Sequence, residues 1–141
     1  YNPNADPMTY KAQFYTSATE WLIMVNTSSN IVGIYKKENN AWVLHSRFAC
    51  SSGKPSTPTV LGEFTVGNKG YVFGSGYSCY FWTQFYKDYL FHSVLYNQGT
   101  WTVQDGRLGM NLSHGCVRLD ANNAKWIYDN IPRGTKVVTY R

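Results

Sequence analysis

Three side chains carry the types that nucleophilic acyl chemistry needs: Cys116, His114 two places before it, and His92 at the end of an apolar run upstream. A free cysteine is only a few per cent thiolate at neutral pH, and the thiolate is the attacking species, so a cysteine nucleophile needs a base nearby. An imidazole within hydrogen-bond reach takes the thiol proton and can return it to a departing amine. The segment NLSHGCVRLD, residues 111–120, also contains Gly115. With no Cβ there, the backbone beside the sulfur is free to turn N–H groups toward a developing oxyanion.

The same residues admit other chemistry. His92, His114 and Cys116 amount to three metal-type ligands, but His-x-Cys follows no standard zinc spacing, and no metal is expected. An odd set of 3 cysteines leaves Cys50 and Cys79 paired with Cys116 free, Cys116 paired with Cys50 or Cys79, or all reduced. The pair would require an oxidising compartment and Cα atoms within about 7 Å of each other. Cys116 also fits a small buried residue. His45, in the middle of VLHSRF, reads as a half-buried strand residue bonded to backbone. Spacing alone does not separate His92 from His114 as the base.

The elements that must position these groups are mostly strands. Residues 1–14, with Pro3, Pro7 and several Asn, read as an irregular lead-in to one domain over 15–141. WLIMVN, IVGIYKK and AWVLHSRFAC are β-rich runs separated by the turn clusters TSSN and ENN, which predicts an antiparallel meander. SSGKPSTPTVLGEF is dominated by Ser, Gly, Thr and Pro and reads as a stiffened loop, with EFTV starting a short strand. YVFGSGYSCYFWTQFY predicts a strand, a loop and a strand. YLFHSVLY predicts a strand ending near His92, and NQGTWTVQDGRLGMNLS a long loop. Only DANNAKWIYDNI reads as a helix, over about 120–130, with Asp120 as N-cap, an apolar stripe of Ala124, Ile127 and Ile131, and Pro132 and Gly134 as stops. TKVVTYR closes the chain as a strand.

Composition narrows the partners. At 141 residues the chain fits one domain that buries enough surface to fold without metals or a disulfide framework. Aromatic residues make up 17% and charged residues only 15%, which excludes disorder and suits a β-rich fold. The net charge of +5 is spread over 13 scattered Lys and Arg, with no nucleic-acid-reading motif, so no nucleic acid partner is expected. No apolar run reaches the ~18 residues of a membrane helix, and no signal-peptide pattern opens the chain. A mature or trimmed fragment, acting as a monomer, is the expectation.

FHS at 91–93 followed by SHGCVRL at 113–119 resembles the signature of the L,D-transpeptidase catalytic domain, the YkuD-type family of bacterial cell-wall enzymes. CSSGKPSTPTVLGEFTV and NAKWIYDNIPRGTKVVTY resemble that family's strand-loop segment and its terminal helix and strand. The resemblance implies a mainly β fold, a mixed or antiparallel β-sandwich with the one late helix. It implies Cys116 as the acylated nucleophile and His92 as the base, oriented through the backbone carbonyl of Ser93. It places His114 as a shaper of the site, Gly115 and Cys116 N–H groups at the oxyanion, and Ser113 as a fixer of the turn. Arg118 is expected either to hold a substrate carboxylate or to form a structural ion pair, and Tyr96 and Trp82 to line the cleft among the aromatics. No cofactor is implied. The implied substrate is the peptidoglycan stem peptide as donor and acceptor, cleaved between the diamino residue at position three and D-Ala at position four and cross-linked 3→3. Hydrolysis by the same residues, as an L,D-carboxypeptidase, and a non-catalytic wall-binding module are the alternatives. Carbapenem-type β-lactams are the implied covalent inhibitors, and the implied location is extracellular, at the wall, where a Cys50–Cys79 bond is permitted.

Overall fold

The computed structural model describes residues 6–141. The meander forms as its turns predict: β1 (Trp21–Asn26), β2 (Ile31–Glu38) and β3 (Ala41–Ser51) pair antiparallel in sequence order. They belong to one nine-stranded sheet. It also holds β4 (Gly62–Thr65), β5 (Lys69–Phe73), β6 (Cys79–Tyr86), β7 (Tyr89–Ser93), β10 (Val117–Leu119) and β11 (Lys136–Tyr140), in the order β4-β11-β1-β2-β3-β10-β7-β6-β5. β8 (Leu95–Tyr96), at the end of the segment YLFHSVLY, and β9 (Val103–Asp105), within the expected long loop, form a separate hairpin. The sheet is mixed: β11 runs parallel to β1, and β10 parallel to β7.

The sheet curls on itself. Phe64 of β4, at one edge, meets Tyr86 and Phe85 of β6, near the other, at centroid distances of 4.7 and 6.1 Å. The curl gives the expected two-layered β architecture. Its interior is filled by Ile23, Val25, Ile34, Phe85, Phe91, Val117 and Leu119, closed by α2 (Ala121–Asn130). The predicted helix forms as its signals require. The Asp120 side chain accepts from the Asn122 N–H, and Ala124, Ile127 and Ile131 are fully buried against the sheet. Lys69 of β5 donates to the Tyr128, Ile127 and Ile131 carbonyls, satisfying acceptors that the helix end leaves open.

A second helix, α1 (Pro7–Ala12), corrects the irregular lead-in; residues 1–5 of that segment lie outside the described residues. Asp6 caps it by accepting from Thr9 N–H at 2.9 Å, and Pro7 sits at the first helical position, where its missing N–H costs nothing. Pro7, read as part of an irregular segment, is thus a helix starter. Met8 and Ala12 cover Leu22, Met24 and Tyr35 on the outer face of the meander.

Candidate active site

The parallel pairing of β10 with β7 assembles the site. Side chains alternate along a strand, so Val117 and Leu119 point into the core while Cys116 and Arg118 share the opposite face. The register sets Arg118 beside His92, whose neighbour Phe91 is in the core, so His92 faces the same side. There a cleft of about 210 Å³ is lined by His92, His114, Cys116, Arg118 and Ser113 together with Phe73, Tyr77, Cys79 and Leu95.

His92 is 4% exposed, and its Nδ1 lies 2.6 Å from the Ser93 carbonyl oxygen. A carbonyl accepts only, so Nδ1 carries the proton and Nε2 presents a lone pair. Nε2 has no protein partner among the described residues and is not sealed from the cleft. Burial pulls the imidazole down to about 4; the Arg118 cation adds to this and the Ser93 carbonyl opposes it. His92 is therefore neutral through the physiological range. Phe73 packs edge-on against its ring at 5.2 Å.

Burial pushes the Cys116 thiol above its ordinary value, partly offset by the Leu90 N–H and by Arg118. The thiol donates to the Asp88 carbonyl at 3.4 Å. The resting pair is thus a neutral thiol and a neutral imidazole, the state from which a general base removes the proton during attack.

The loop that carries the thiol is strapped from two sides. Gly115 has φ +125°, and a Cβ there would lie 2.9 Å from the Tyr89 ring, so only glycine fits. Ser113 Oγ donates to the Cys116 carbonyl at 2.5 Å and accepts from the Gly115 N–H at 3.1 Å. That bond engages the Gly115 N–H, which withdraws it from the expected oxyanion role and leaves Gly115 a conformational one. The Ser/Gly/Thr/Pro loop supplies the second strap. Thr59 Oγ1 donates to the Gly115 carbonyl at 2.7 Å and accepts from Gly53 N–H at 2.9 Å, while Lys54 N–H and Thr57 Oγ1 both reach the Ser113 carbonyl at 2.9 Å. Thr57 and Thr59 carry no sequence signal of their own beyond standing in that resembling segment.

Arg118 is 7% exposed and makes the ion pair weighed for it: its guanidinium lies 3.4 Å from Asp105. Asp105 is more tightly held by Arg107, through Nε at 3.0 Å and an η nitrogen at 2.9 Å. Hydrogen bonding to Arg107, helped by the charge of Arg118, keeps its carboxyl low, at about 2. Two guanidiniums share one carboxylate, so the cleft retains net positive charge at Arg118.

Four expectations need correction. Trp82 pairs with Gly70, and its ring occupies the space a Gly70 side chain would take, away from the cleft. Tyr96 is 8% exposed and packs edge-on beneath Tyr80 and Trp101, at 5.4 and 5.2 Å. Cys50 and Cys79 are both buried free thiols rather than a disulfide. They lie on β3 and β6 with β10 and β7 between, three strand spacings or about 14 Å, twice what a disulfide spans. His45 is exposed and bonds Ser46 Oγ rather than backbone, with its ring on Trp126. Among the described residues, no three His, Cys, Asp or Glu side chains group as metal ligands, and no helix is long and apolar enough to cross a membrane.

A curled mixed sheet bearing a carbonyl-oriented histidine on β7 and a cysteine at the entry to the adjacent parallel strand β10 defines the class, and comparison with known proteins names it. Residues 20–139 match the model of the YkuD L,D-transpeptidase catalytic domain, and the chain belongs to that family. It is 40% identical over 75 residues to YciB of Bacillus subtilis (strain 168), a protein to which L,D-transpeptidase activity is ascribed; the match covers 50% of this chain and 37% of that one. A solved structure from Clostridium acetobutylicum, of a fused Zn-dependent amidase/peptidase/peptidoglycan-binding domain-containing protein, matches with TM-score 0.78 and 38% identity, covering 93% of this chain and 57% of that one. The structure of LD transpeptidase LdtMt1 in complex with imipenem shares the fold at TM-score 0.66 and 21% identity, over 86% of this chain and 59% of that one. The matched part is well under two thirds of each relative's length.

Proposed function

We propose that this domain is a peptidoglycan L,D-transpeptidase that works outside the cell through a Cys116 thioester. The observation that carries the reading is the neutral His92, with Nδ1 bound to the Ser93 carbonyl and Nε2 open to the cleft it shares with Cys116. In this reading the Cys116 proton passes to His92 Nε2 as sulfur attacks the carbonyl of the diamino residue at position three of a stem peptide. The oxyanion forms against the Cys116 N–H. The intermediate collapses, the bond to D-Ala at position four breaks, and the Nε2 proton leaves with the D-Ala amine. A thioester remains, keeping the energy of the broken amide. The side-chain amine of a second stem then attacks; His92 takes its proton and returns it to the departing sulfur, giving a 3→3 cross-link. Arg118, positively charged in the cleft wall, is suited to hold a stem carboxylate.

Imipenem is the direct probe, since a member of the family is known in complex with it. Intact-mass measurement should show one adduct on the chain and none on Cys116→Ala. An adduct that survives Cys116→Ala, or none on the unaltered chain, sinks the proposal. With tetrapeptide stems, cross-linked dimers indicate transfer, whereas free tripeptide alone indicates an L,D-carboxypeptidase using the same residues.

A further inference from the structure

Phe73 lines two hollows. One is the catalytic cleft. The other is a trough of about 510 Å³ walled by Tyr71, Val72, Ser78, Tyr80, Gln98 and Trp101. Its surface is unusual for a soluble face. Trp101 is 54% exposed and Tyr71 52%, although both are large aromatics. Trp101 lies flat on Tyr80, at 3.9 Å and 14° between planes, and Tyr71 leans on the same Tyr80 at 5.6 Å. Tyr80 is fixed from below by Tyr96, and its hydroxyl donates to the Thr100 carbonyl at 2.6 Å. The platform is thus rigid and spans the hairpin β8–β9, the edge strand β5 and its neighbour β6.

Among the described residues, no charged side chain lines the trough, in contrast to the cleft beside it with Arg118. Its polar groups are neutral. The Gln98 oxygen accepts from the Gly76 N–H, which leaves the amide NH₂ as a donor, and Ser78 Oγ accepts from the Gly99 N–H. Flat exposed aromatic faces with uncharged amide and hydroxyl groups match a sugar ring, which offers C–H faces to a π system and hydroxyls to the rim. They do not match a polyanion or the carboxylate-bearing stem.

We infer that the Tyr71–Tyr80–Trp101 trough binds the glycan strand of the wall polymer while the stem peptide attached to it occupies the cleft. The choice of occupant rests on the proposed function. The carbonyl attacked there is three residues from the sugar, a reach of about 10 Å for an extended chain, which suits a trough that adjoins the cleft through one side chain.

The test uses an N-acetylglucosamine tetrasaccharide and calorimetric titration. The saccharide should bind the chain and Cys116→Ala alike, and Trp101→Ala and Tyr71→Ala should each weaken it roughly tenfold, the loss of one aromatic face. In the same variants imipenem should still acylate Cys116, which also reports an intact fold. If one variant fails to fold, the other gives the same readout. Absence of binding, or equal binding in both variants, overturns the inference. So does a concentration-dependent dimer of the chain that Trp101→Ala dissolves, since the platform would then be an interface between copies. Acylation without saccharide binding overturns the trough alone. Saccharide binding without acylation supports the trough and overturns the reading of the cleft.

Discussion

Arg118 and His92 face one another across the parallel register of β10 and β7, a buried guanidinium beside a buried imidazole. The cation disfavours a second positive charge next to it, and burial disfavours the charged imidazole more strongly and also keeps the Cys116 thiol protonated. The site therefore rests as an uncharged Cys–His pair rather than a thiolate–imidazolium pair.

One consequence is kinetic. The acid limb of the pH–rate profile reports the free enzyme's base, so imipenem acylation should hold from neutral pH down to about pH 5 and fall near His92's value of about 4. With the thiol raised by burial, alkylation by iodoacetamide should keep rising above pH 9. A plateau of alkylation near pH 7 would show a preformed ion pair instead.

A second consequence is thermodynamic. Between pH 6.5 and about 4 the unfolded chain holds a proton on His92 that the folded chain refuses. The unfolded state binds more protons there, so stability rises with pH across that window and is lost as pH falls through it. The depression corresponds to about 3 kcal/mol once pH is below 4. Urea midpoints at pH 7, 5.5 and 4.5 should converge on those of His92→Gln as the pH drops; parallel curves would contradict the assignment.

The Thr59 strap is a further point of leverage. Thr59→Val leaves the buried Gly115 carbonyl and Gly53 N–H without partners, at a cost of about 1–3 kcal/mol. Because the Gly115 carbonyl lies next to the nucleophile, acylation should slow as well. Normal acylation in a destabilised Thr59→Val protein would show the strap to be structural only.

For the cysteines, three thiols should titrate in denaturant without reductant, and dithiothreitol should leave the melting temperature unchanged. A Cys50–Cys79 bond would instead make reduction cost about 2–5 kcal/mol.

The sequence by itself determined the local elements and the chemistry types. The meander was legible because its apolar runs alternate with Asn- and Ser-rich turns. The helix at Ala121–Asn130 was legible because Asp120 and the Ala124–Ile127–Ile131 stripe are signals within a few turns of chain. The motif around Cys116 and His92 was legible as a resemblance. Tertiary structure alone decided what lies beside what. β10 is three residues long, too short to announce itself, yet its pairing between β3 and β7 brings His92 to Arg118 and holds Cys50 apart from Cys79. Likewise Thr59 reaches Gly115, and Trp82 turns onto Gly70, through contacts that no sequence period encodes. Periodicity reports which face of an element is buried, whereas non-local strand pairing decides which other residues share that face.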